Sequence, residues 1–202
     1  MEIDVKNIIK SFDDKIVINN ISFSVNKETP TVILGANGSG KSTLLKIIAG
    51  IISPDNGQVK FTINNTEISS DHIYAYTAFV APYSDLIMDF TLSEMVSFQA
   101  KFCNPYNGLS CDNVIEIIGL RQFRDAELKT FSSGMMQRVK IGMALLFSRK
   151  IILLDEPCNN MDNSSINWYA ELLKEYLNNR LLIVCSNNFK HEYPVCNQQI
   201  NL

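Results

Sequence analysis

The hydrophobic residues of this chain recur with the period of a strand near both ends and with the period of a helix in the middle. Alternating residues and short apolar runs predict strands over residues 2–9, 20–25, 31–34, 59–63, 73–80, 151–154 and 181–185, with a further candidate over 198–202. Apolar residues at helical spacing predict helices over residues 41–49, 91–102, 114–118, 133–147 and 164–178. Strands that alternate with helices predict a parallel α/β core, which here carries an inserted helical segment.

Local signals mark several boundaries of these elements. Gly50 follows the first predicted helix, a position where glycine commonly ends a helix. Thr91 and Glu94 have the spacing of a capping box at the start of the second helix. The sequence therefore predicts a single domain of residues 1–202, with the α/β core in residues 1–90 and 148–202 and the helical insert over about 91–147.

The composition excludes several functional classes. The chain of 202 residues is 46% hydrophobic and 19% charged, as is typical of a folded globular protein. Its net charge of −3 argues against a nucleic-acid partner, because phosphate neutralisation needs a concentrated basic surface. The 5 cysteines are scattered, which favours reduced thiols in a cytosol over a metal site. No signal peptide or apolar run of about 18 residues is found, so no membrane-spanning segment is expected.

A glycine-rich sequence between the strand at 31–34 and the following helix has the features of a phosphate-binding loop. Residues 35–43, G-A-N-G-S-G-K-S-T, match the pattern G-x-x-x-x-G-K-[ST]. Glycines let backbone N–H groups turn toward a polyphosphate, and the helix presents its positive end to it. We expect Lys41 to reach the β- and γ-phosphates and Ser42 to hold Mg²⁺. The predicted nucleotide-binding residues of this loop are Gly35, Asn37, Gly38, Ser39, Gly40, Lys41, Ser42 and Thr43.

Two carboxylates follow the apolar strand at 151–154. Asp155 and Glu156 are expected at the carboxyl end of that strand, where open α/β sheets bind ligands. We expect Asp155 to orient Mg²⁺ and its waters, and Glu156 to polarise a water for attack on the γ-phosphate. The alternative is a buried strand that ends in two solvated acids. A GTPase would require a guanine-selecting N-K-x-D sequence, which this chain lacks.

A third segment makes the pattern specific to one family. Residues 131–138, F-S-S-G-M-M-Q-R, resemble the L-S-G-G-Q signature of the ATP-binding cassette (ABC) ATPases, with Ser133 in place of the first glycine and Met135 in place of glutamine. The segment begins a predicted helix ahead of Asp155, as that family places it. The resemblance covers nearly the whole chain.

The resemblance implies a fold, an activity and partners. The fold is an α/β P-loop NTPase of the ABC ATPase type, with a RecA-like parallel sheet core, an antiparallel β subdomain and a short inserted α-helical subdomain. The activity is ATP hydrolysis with Mg²⁺, which powers a bacterial transporter through a separate permease chain from the cytoplasmic face of the membrane. Two subunits dimerise head to tail, so that the signature of one closes over the γ-phosphate held by the other. The signature residues here are Ser132, Ser133, Gly134 and Met135.

The resemblance assigns two further residues. Phe12, in the turn after the first predicted strand, corresponds to the aromatic residue that these ATPases offer to adenine, with ordinary core packing as the alternative. Asp162 resembles the aspartate of the D-loop, which links the two nucleotide sites. The alternative for Asp162 is an N-cap of the following helix, and both roles are compatible.

The chain departs from the family at two polar positions. The Q-loop glutamine is replaced by Pro82, which has no side-chain oxygen, and Tyr83 or Asp85 would have to substitute for it. The H-loop histidine is replaced by Asn187, whose amide donates a hydrogen bond but carries no proton. His191 is expected to be solvated rather than a substitute. We therefore expect Glu156, Lys41 and Asn187 to support a slow ATPase.

Two alternatives to the transporter ATPase remain open. One is a weakly active regulatory ABC cassette in a heterodimer, and the other is a soluble ABC protein without a transport role. Residues 82–90 are apolar for a loop, which suits either a groove for a permease helix or packing under the helical insert. Trp168 and Tyr169 are expected to be structural.

Overall fold

The computed structural model describes residues 1–13, 15–82 and 86–202. The chain divides into two compact units. The first unit comprises Met1–Phe79, Lys150–Glu156 and Asn179–Leu202, and the second comprises Val80–Arg149 and Pro157–Asn178. Within the described residues, no helix has both the length and the apolar character needed to cross a bilayer.

The described residues form strands, α-helices and short 3₁₀ helices. The strands are β1 (Glu2–Phe12), β2 (Lys15–Asn26), β3 (Thr31–Leu34), β4 (Asn56–Ile63), β5 (Thr66–Ile68), β6 (Thr77–Val80), β7 (Ile151–Asp155), β8 (Leu181–Ser186) and β9 (Gln198–Asn201). The α-helices are α1 (Lys41–Ile48), α2 (Leu92–Ala100), α3 (Cys111–Ile118), α4 (Ser133–Leu145) and α5 (Asn163–Tyr176). The 3₁₀ helices are Ser70–Ala75, Tyr106–Gly108, Arg121–Phe123, Leu128–Thr130 and Lys190–Glu192.

The strands form two sheets. One is four-stranded with the order β2-β1-β4-β5, in which each neighbouring pair is antiparallel. The other is five-stranded with the order β6-β7-β8-β3-β9, in which β8 pairs in parallel with both β7 and β3, and β3 with β9. Every residue of β3, β7 and β8 is buried, as expected for parallel strands that are covered on both faces. The predicted parallel core, the antiparallel sheet and the helices are confirmed.

The core of the first unit is a continuous apolar cluster. It includes Ile33 of β3, Leu45 of α1, Leu153 of β7 and Ile183 of β8. Helix α1 packs against β7, β8 and β2 and ends where Gly50 adopts a left-handed conformation with φ of 72°. This packing fixes the start of α1 beside the carboxyl ends of β3, β7 and β8.

The second unit is helical, and side-chain caps define where its helices begin. The capping box predicted at α2 is present, with the Thr91 N–H donating to Glu94 Oε2 at 2.9 Å and the Glu94 N–H donating to Thr91 Oγ1 at 3.2 Å. Ser110 and Asn113 form a second capping box at α3, four residues before the predicted helix start at Val114. Helix α3 packs on α2 and α4, and α4 packs on α5.

Two sequence predictions about the first unit are wrong. The strand predicted over 73–80 begins only at Thr77, because residues 70–75 form a 3₁₀ helix that the N–H of Tyr76 closes by donating to the Ile73 carbonyl. Phe12 is the last residue of β1 and pairs with Lys15, so it does not lie in the turn. The alternation that marks β1 breaks at Asn7, whose φ of 52° coincides with a register shift, although the strand continues beyond it.

Candidate functional site

The glycine-rich loop follows β3 and leads directly into α1. Gly40 is the N-cap of α1, and its φ of 101° is a conformation that favours glycine. A Cβ atom at Gly40 would lie 2.8 Å from the carbonyl oxygen of Val17, so the loop and β2 meet too closely for a side chain. Because Gly40 has no side chain to cap α1, the N–H groups of the first helical turn are left for a ligand.

The loop also contains a buried hydroxyl with no protein partner. Ser39 Oγ is buried and forms no hydrogen bond with any residue that the structure describes. Such groups normally find a partner, which can be a ligand. The orphaned hydroxyl and the uncapped helix start both indicate that the loop is shaped for an anion.

Lys41 is the first residue of α1, and its side chain folds back over the loop. The residue is only 5% exposed. Its ammonium donates to the Gly35 carbonyl at 2.8 Å, to the Ala36 carbonyl at 3.0 Å and to Asn187 Oδ1 at 2.6 Å. An ammonium has three donors, so these acceptors satisfy it fully without a ligand. A bound phosphate would compete with them for the same charge.

Asp155 and Glu156 lie at the carboxyl end of β7. Asp155 is 3% exposed, and burial raises the pKa of its carboxyl above the usual value, while a hydrogen bond with Ser42 acts in the opposite direction. Asp155 Oδ1 accepts no hydrogen bond from the described residues. A buried carboxylate oxygen without a partner is costly unless a cation satisfies it. Asp155 and Ser42 therefore fit a magnesium ion, which takes oxygen ligands and often only one or two from carboxylates.

Among residues 1–13, 15–82 and 86–202, no group of three or more histidine, cysteine, aspartate or glutamate side chains is placed to hold a metal. Mg²⁺ bound with nucleotides is commonly held by one or two protein oxygens together with phosphates and waters.

Glu156 has a constrained backbone. Its φ is 46°, which non-glycine residues rarely adopt, and its N–H donates to the Cys185 carbonyl of β8 at 3.0 Å. The unusual conformation turns the chain directly after β7 and directs Glu156 to the region of Asn187, whose Nδ2 donates to Glu156 Oε1 at 2.7 Å. Strained residues of this kind are found disproportionately at functional sites.

Asn187 connects Lys41 with Glu156. It follows Ser186, whose buried hydroxyl accepts the N–H of Phe189 and donates to Glu192, and these contacts fix the segment after β8. Its amide then accepts from Lys41 and donates to Glu156. Sequence reasoning missed this connection, because only the strand order places the end of β8 between the ends of β7 and β3.

Phe12 lies at the end of the β1–β2 hairpin in the same unit. The residue is 47% exposed, which excludes the alternative that it is part of the core. Its ring lies under the Lys10 ammonium, 5.3 Å from the ring centroid. An exposed aromatic ring on the β2 side of the loop is available for stacking.

The predicted signature residues lie at the start of α4 in the second unit. Ser132 is the N-cap, and its Oγ accepts the Met135 N–H at 3.3 Å. Ser133 and Gly134 form the first turn, where a Cβ at Gly134 would lie 3.0 Å from the Asn160 carbonyl oxygen. Gln137 Nε2, one turn further, donates to the Pro157 carbonyl at 2.8 Å. The start of α4 therefore has only small side chains, those of Ser132 and Ser133, beside its first N–H groups.

Asp162 has the contacts of a helix N-cap. Its Oδ1 accepts the Ser165 N–H at 2.8 Å at the start of α5, and its hydrogen bonds with Ser165 and Ser164 lower the pKa of its carboxyl. Trp168 and Tyr169 have structural contacts, as predicted. The indole N–H of Trp168 donates to the Ile117 carbonyl at 2.8 Å, and Tyr169 is fully buried.

The positions at which the sequence predicts a departure from the family pattern are only partly described. The carbonyl of Pro82 accepts a hydrogen bond from Lys140 Nζ at 3.3 Å. Tyr83 and Asp85, the predicted substitutes for the missing glutamine, lie outside the described residues. His191 is exposed, as expected, and stacks on Phe189 with 5.7 Å between the ring centroids.

Comparison with known proteins gives a consistent family. A family model described as ABC transporter matches residues 18–159. The linearmycin resistance ATP-binding protein of Bacillus subtilis (strain 168) is 28% identical over 94% of this chain and 62% of its own length. The Nod factor export ATP-binding protein I of Burkholderia orbicola (strain AU 1054) is 28% identical over 94% of this chain and 64% of its own length. The chain thus spans about six tenths of the length of the curated relatives it matches.

Solved structures share the fold. A dimeric ATP-binding cassette in a post-hydrolysis state with ADP and phosphate has a TM-score of 0.83 and 24% identity, covering 99% of this chain and 94% of that chain. The family match covers most of the sequence. It includes the phosphate-binding loop and the two carboxylates at the end of β7. The chain belongs to the ABC transporter family and has the fold of its ATP-binding cassettes.

Proposed function

We propose that this chain binds ATP with Mg²⁺, hydrolyses it, and powers a membrane transporter through a separate permease chain at the cytoplasmic face. One observation carries the proposal: within one unit, Asn187 joins Lys41 of the glycine-rich loop to Glu156 at the end of β7. One relative is called a linearmycin resistance ATP-binding protein and the other a Nod factor export ATP-binding protein, which supports a transport role.

The residues of the first unit have separate tasks in this proposal. The N–H groups of the loop and α1 bind the phosphates, and Lys41 moves from the loop carbonyls to the β- and γ-phosphate oxygens. Ser42 and Asp155 hold Mg²⁺, which neutralises charge on the phosphates when bound. Glu156 orients and polarises the attacking water, and Asn187 keeps the Glu156 carboxylate in place.

The second unit supplies the partner's site in a head-to-tail dimer. Ser132, Ser133, Gly134 and Met135 form the start of α4, which would face the γ-phosphate bound by the other subunit. Small residues let the backbone approach an anion closely, and the 13-residue helix adds its positive end. Asp162, in its proposed D-loop role, would link the two sites.

Exposed apolar side chains in the second unit support contact with a permease. The exposed fractions are 39% for Ile87, 43% for Met88 and 66% for Phe102. The ring of Phe98 packs on that of Phe102 with 5.0 Å between the ring centroids. In this proposal the exposed side chains receive a short helix of the permease.

The first test is hydrolysis of Mg-ATP by the purified chain at several protein concentrations. Specific activity is expected to rise with protein concentration, because each complete site needs a second subunit. Glu156→Gln is expected to retain ATP binding and to lose hydrolysis by about 100-fold or more, since the amide cannot accept a proton from water. Unchanged hydrolysis in this variant would refute the role of Glu156.

A regulatory cassette in a heterodimer is the second candidate, and Pro82 and Asn187 favour it because both replace polar groups of the family pattern. It predicts tight ATP binding with no turnover at any concentration of this chain alone. A soluble ABC protein without a transport role predicts no association with membranes when the permease is co-expressed.

A further inference from the structure

One charged cluster in the first unit connects the end of β1 to the turn before β4. The Lys10 ammonium forms a 2.6 Å ion pair with Asp55 Oδ1, and Asp55 Oδ2 accepts the Ser11 N–H at 2.6 Å. The Asp55 N–H donates to the Ile9 carbonyl at 2.9 Å. Asp55 is therefore bonded to three consecutive residues of β1, immediately before Phe12.

Lys10 also contacts the aromatic ring of Phe12. Lys10 Nζ lies over the Phe12 ring, 5.3 Å from its centroid and within the range of a cation–π interaction. The Lys10 side chain is 17% exposed, so its ammonium is partly shielded from water. The Asp55–Lys10 pair thus covers one face of the ring and restricts its movement, while the rest of the exposed ring stays accessible.

The end of the β1–β2 hairpin that carries Phe12 lies close to the phosphate loop along β2. Phe12 pairs with Lys15, and a Cβ atom at Gly40 of the loop would lie 2.8 Å from the carbonyl oxygen of Val17, two residues further along β2. Two residues of a strand span about 7 Å. Phe12 and the phosphate loop therefore adjoin the same short segment of β2.

We propose that Asp55, acting through Lys10, is a positioning residue that holds the Phe12 ring for stacking on the adenine base. This inference rests on the proposed ATP binding and adds a determinant for the base end of the nucleotide. A ring that is already held loses less conformational freedom when a base stacks on it. The Asp55–Lys10 pair, called the clamp below, therefore raises the affinity for ATP without touching the phosphates.

The Asp55 carboxyl of the clamp is ionised at neutral pH. Hydrogen bonds from Lys10 and from the Ser11 N–H hold the pKa of Asp55 below its usual value. The turn that carries Asp55 is also held close to β1, since a Cβ at Gly57 would collide with the carbonyl oxygens of Lys6 and Asn7.

The test measures binding of Mg-ATP and of Mg-tripolyphosphate, which has phosphates but no base, to the full chain. Phe12→Ala is expected to weaken ATP binding about 5-fold or more. Asp55→Ala is expected to weaken it about 3- to 10-fold. Both variants are expected to keep tripolyphosphate affinity within about twofold of the wild type. The double variant is expected to bind ATP within about twofold of Phe12→Ala, because Asp55 acts through the ring.

Matched variants separate positioning from a general effect on folding. Glu28→Gln removes another carboxylate of an exposed ion pair in the same unit and is expected to change neither affinity. Asp55→Asn keeps an acceptor for the Ser11 N–H but removes the negative charge that pairs with Lys10, so it tests the clamp if Asp55→Ala folds poorly. An equal loss of ATP and tripolyphosphate binding, or ATP losses that multiply in the double variant, would overturn the inference.

The controls also separate this inference from the proposed function. A wild-type chain that binds neither ligand refutes ATP binding itself. A wild-type chain that binds ATP, together with a Phe12→Ala variant of the same affinity, leaves the proposed function standing and overturns only the role of the clamp.

Discussion

At the scale of single residues, the amide of Asn187 is matched to both of its neighbours. Its oxygen accepts from the Lys41 ammonium and its nitrogen donates to the Glu156 carboxylate. An amide does both at every pH, because its donor and acceptor do not titrate. A histidine does both only while neutral, since imidazolium has two donors and no acceptor. In the proposed site Asn187 therefore supplies a donor and an acceptor that do not depend on pH.

Asn187 gives the first prediction at this scale. Asn187→Ala is expected to lower kcat by roughly 100-fold, a typical cost of losing one preorganised hydrogen-bond donor. Asn187→His is expected to restore part of the rate above about pH 6.5 and to lose it below, as the imidazole becomes charged and repels Lys41. The check is kcat between pH 5.5 and pH 8.5. A wild-type profile that shows the same bend as Asn187→His would contradict this interpretation.

At the scale of elements, caps decide where the helices of the second unit begin. Three of these caps lie where the sequence predicts a helix to begin, because their spacing from the apolar positions marks an N-terminus. They are Thr91, Ser132 and Asp162. The cap at Ser110 was not found from sequence, since the apolar spacing of α3 begins only at Val114. The strand predicted over 73–80 includes residues 73–75, which belong to the 3₁₀ helix Ser70–Ala75, because a short segment with apolar residues does not distinguish a strand from a helix.

Asp162 gives the prediction at this scale. Asp162→Ala is expected to lower the unfolding temperature at pH 7 by roughly 2–4 °C, a typical loss for an N-cap in a chain of this size. The pKa of Asp162 is lowered by its hydrogen bonds with Ser165 and Ser164, so its stabilising effect is present above the ordinary carboxyl pKa and is lost as pH falls through the folded value. The check is the difference in unfolding temperature between the wild type and Asp162→Ala, measured at pH 7 and at pH 3.

The same experiment has an internal control. Asp162→Asn keeps a side-chain oxygen that caps α5, so it is expected to unfold near the wild-type temperature at pH 7. A difference between the wild type and Asp162→Ala that stays constant down to pH 3 would show that the charged cap is not the source of the stability.

At the scale of the whole molecule, strand order brings the site together. The carboxyl ends of β7, β8 and β3 are neighbours, and they carry Glu156, Asn187 and the glycine-rich loop. Without a ligand this arrangement leaves Asp155 Oδ1 and Ser39 Oγ buried without partners among the described residues. A nucleotide with its cation satisfies such groups, so ligand binding is expected to stabilise the fold.

This gives the prediction for the whole molecule. Mg-ATP at about 100 times its Kd is expected to raise the unfolding temperature by roughly 5–10 °C, the equivalent of about 2.7 kcal/mol. Removing Mg²⁺ with a chelator, or replacing Lys41 by alanine, is expected to abolish most of the shift. Lys46 is an exposed lysine in the last turn of α1, so Lys46→Ala serves as the control and is expected to retain the full temperature shift. An equal shift in Lys41→Ala would contradict the phosphate role of Lys41.

The α/β class and the phosphate-binding motif follow from the amino-acid sequence alone. The acidic pair at 155–156 and the family resemblance follow from it as well, since these depend on local spacing and on residues that are close along the chain. The bridge of Asn187 between Lys41 and Glu156, and the bonds of Asp55 to β1 next to Phe12, become visible only in the folded chain. These contacts join residues that lie between 31 and 146 positions apart. Strand order and register bring such residues together, and neither can be inferred from the periodicity of the separate segments.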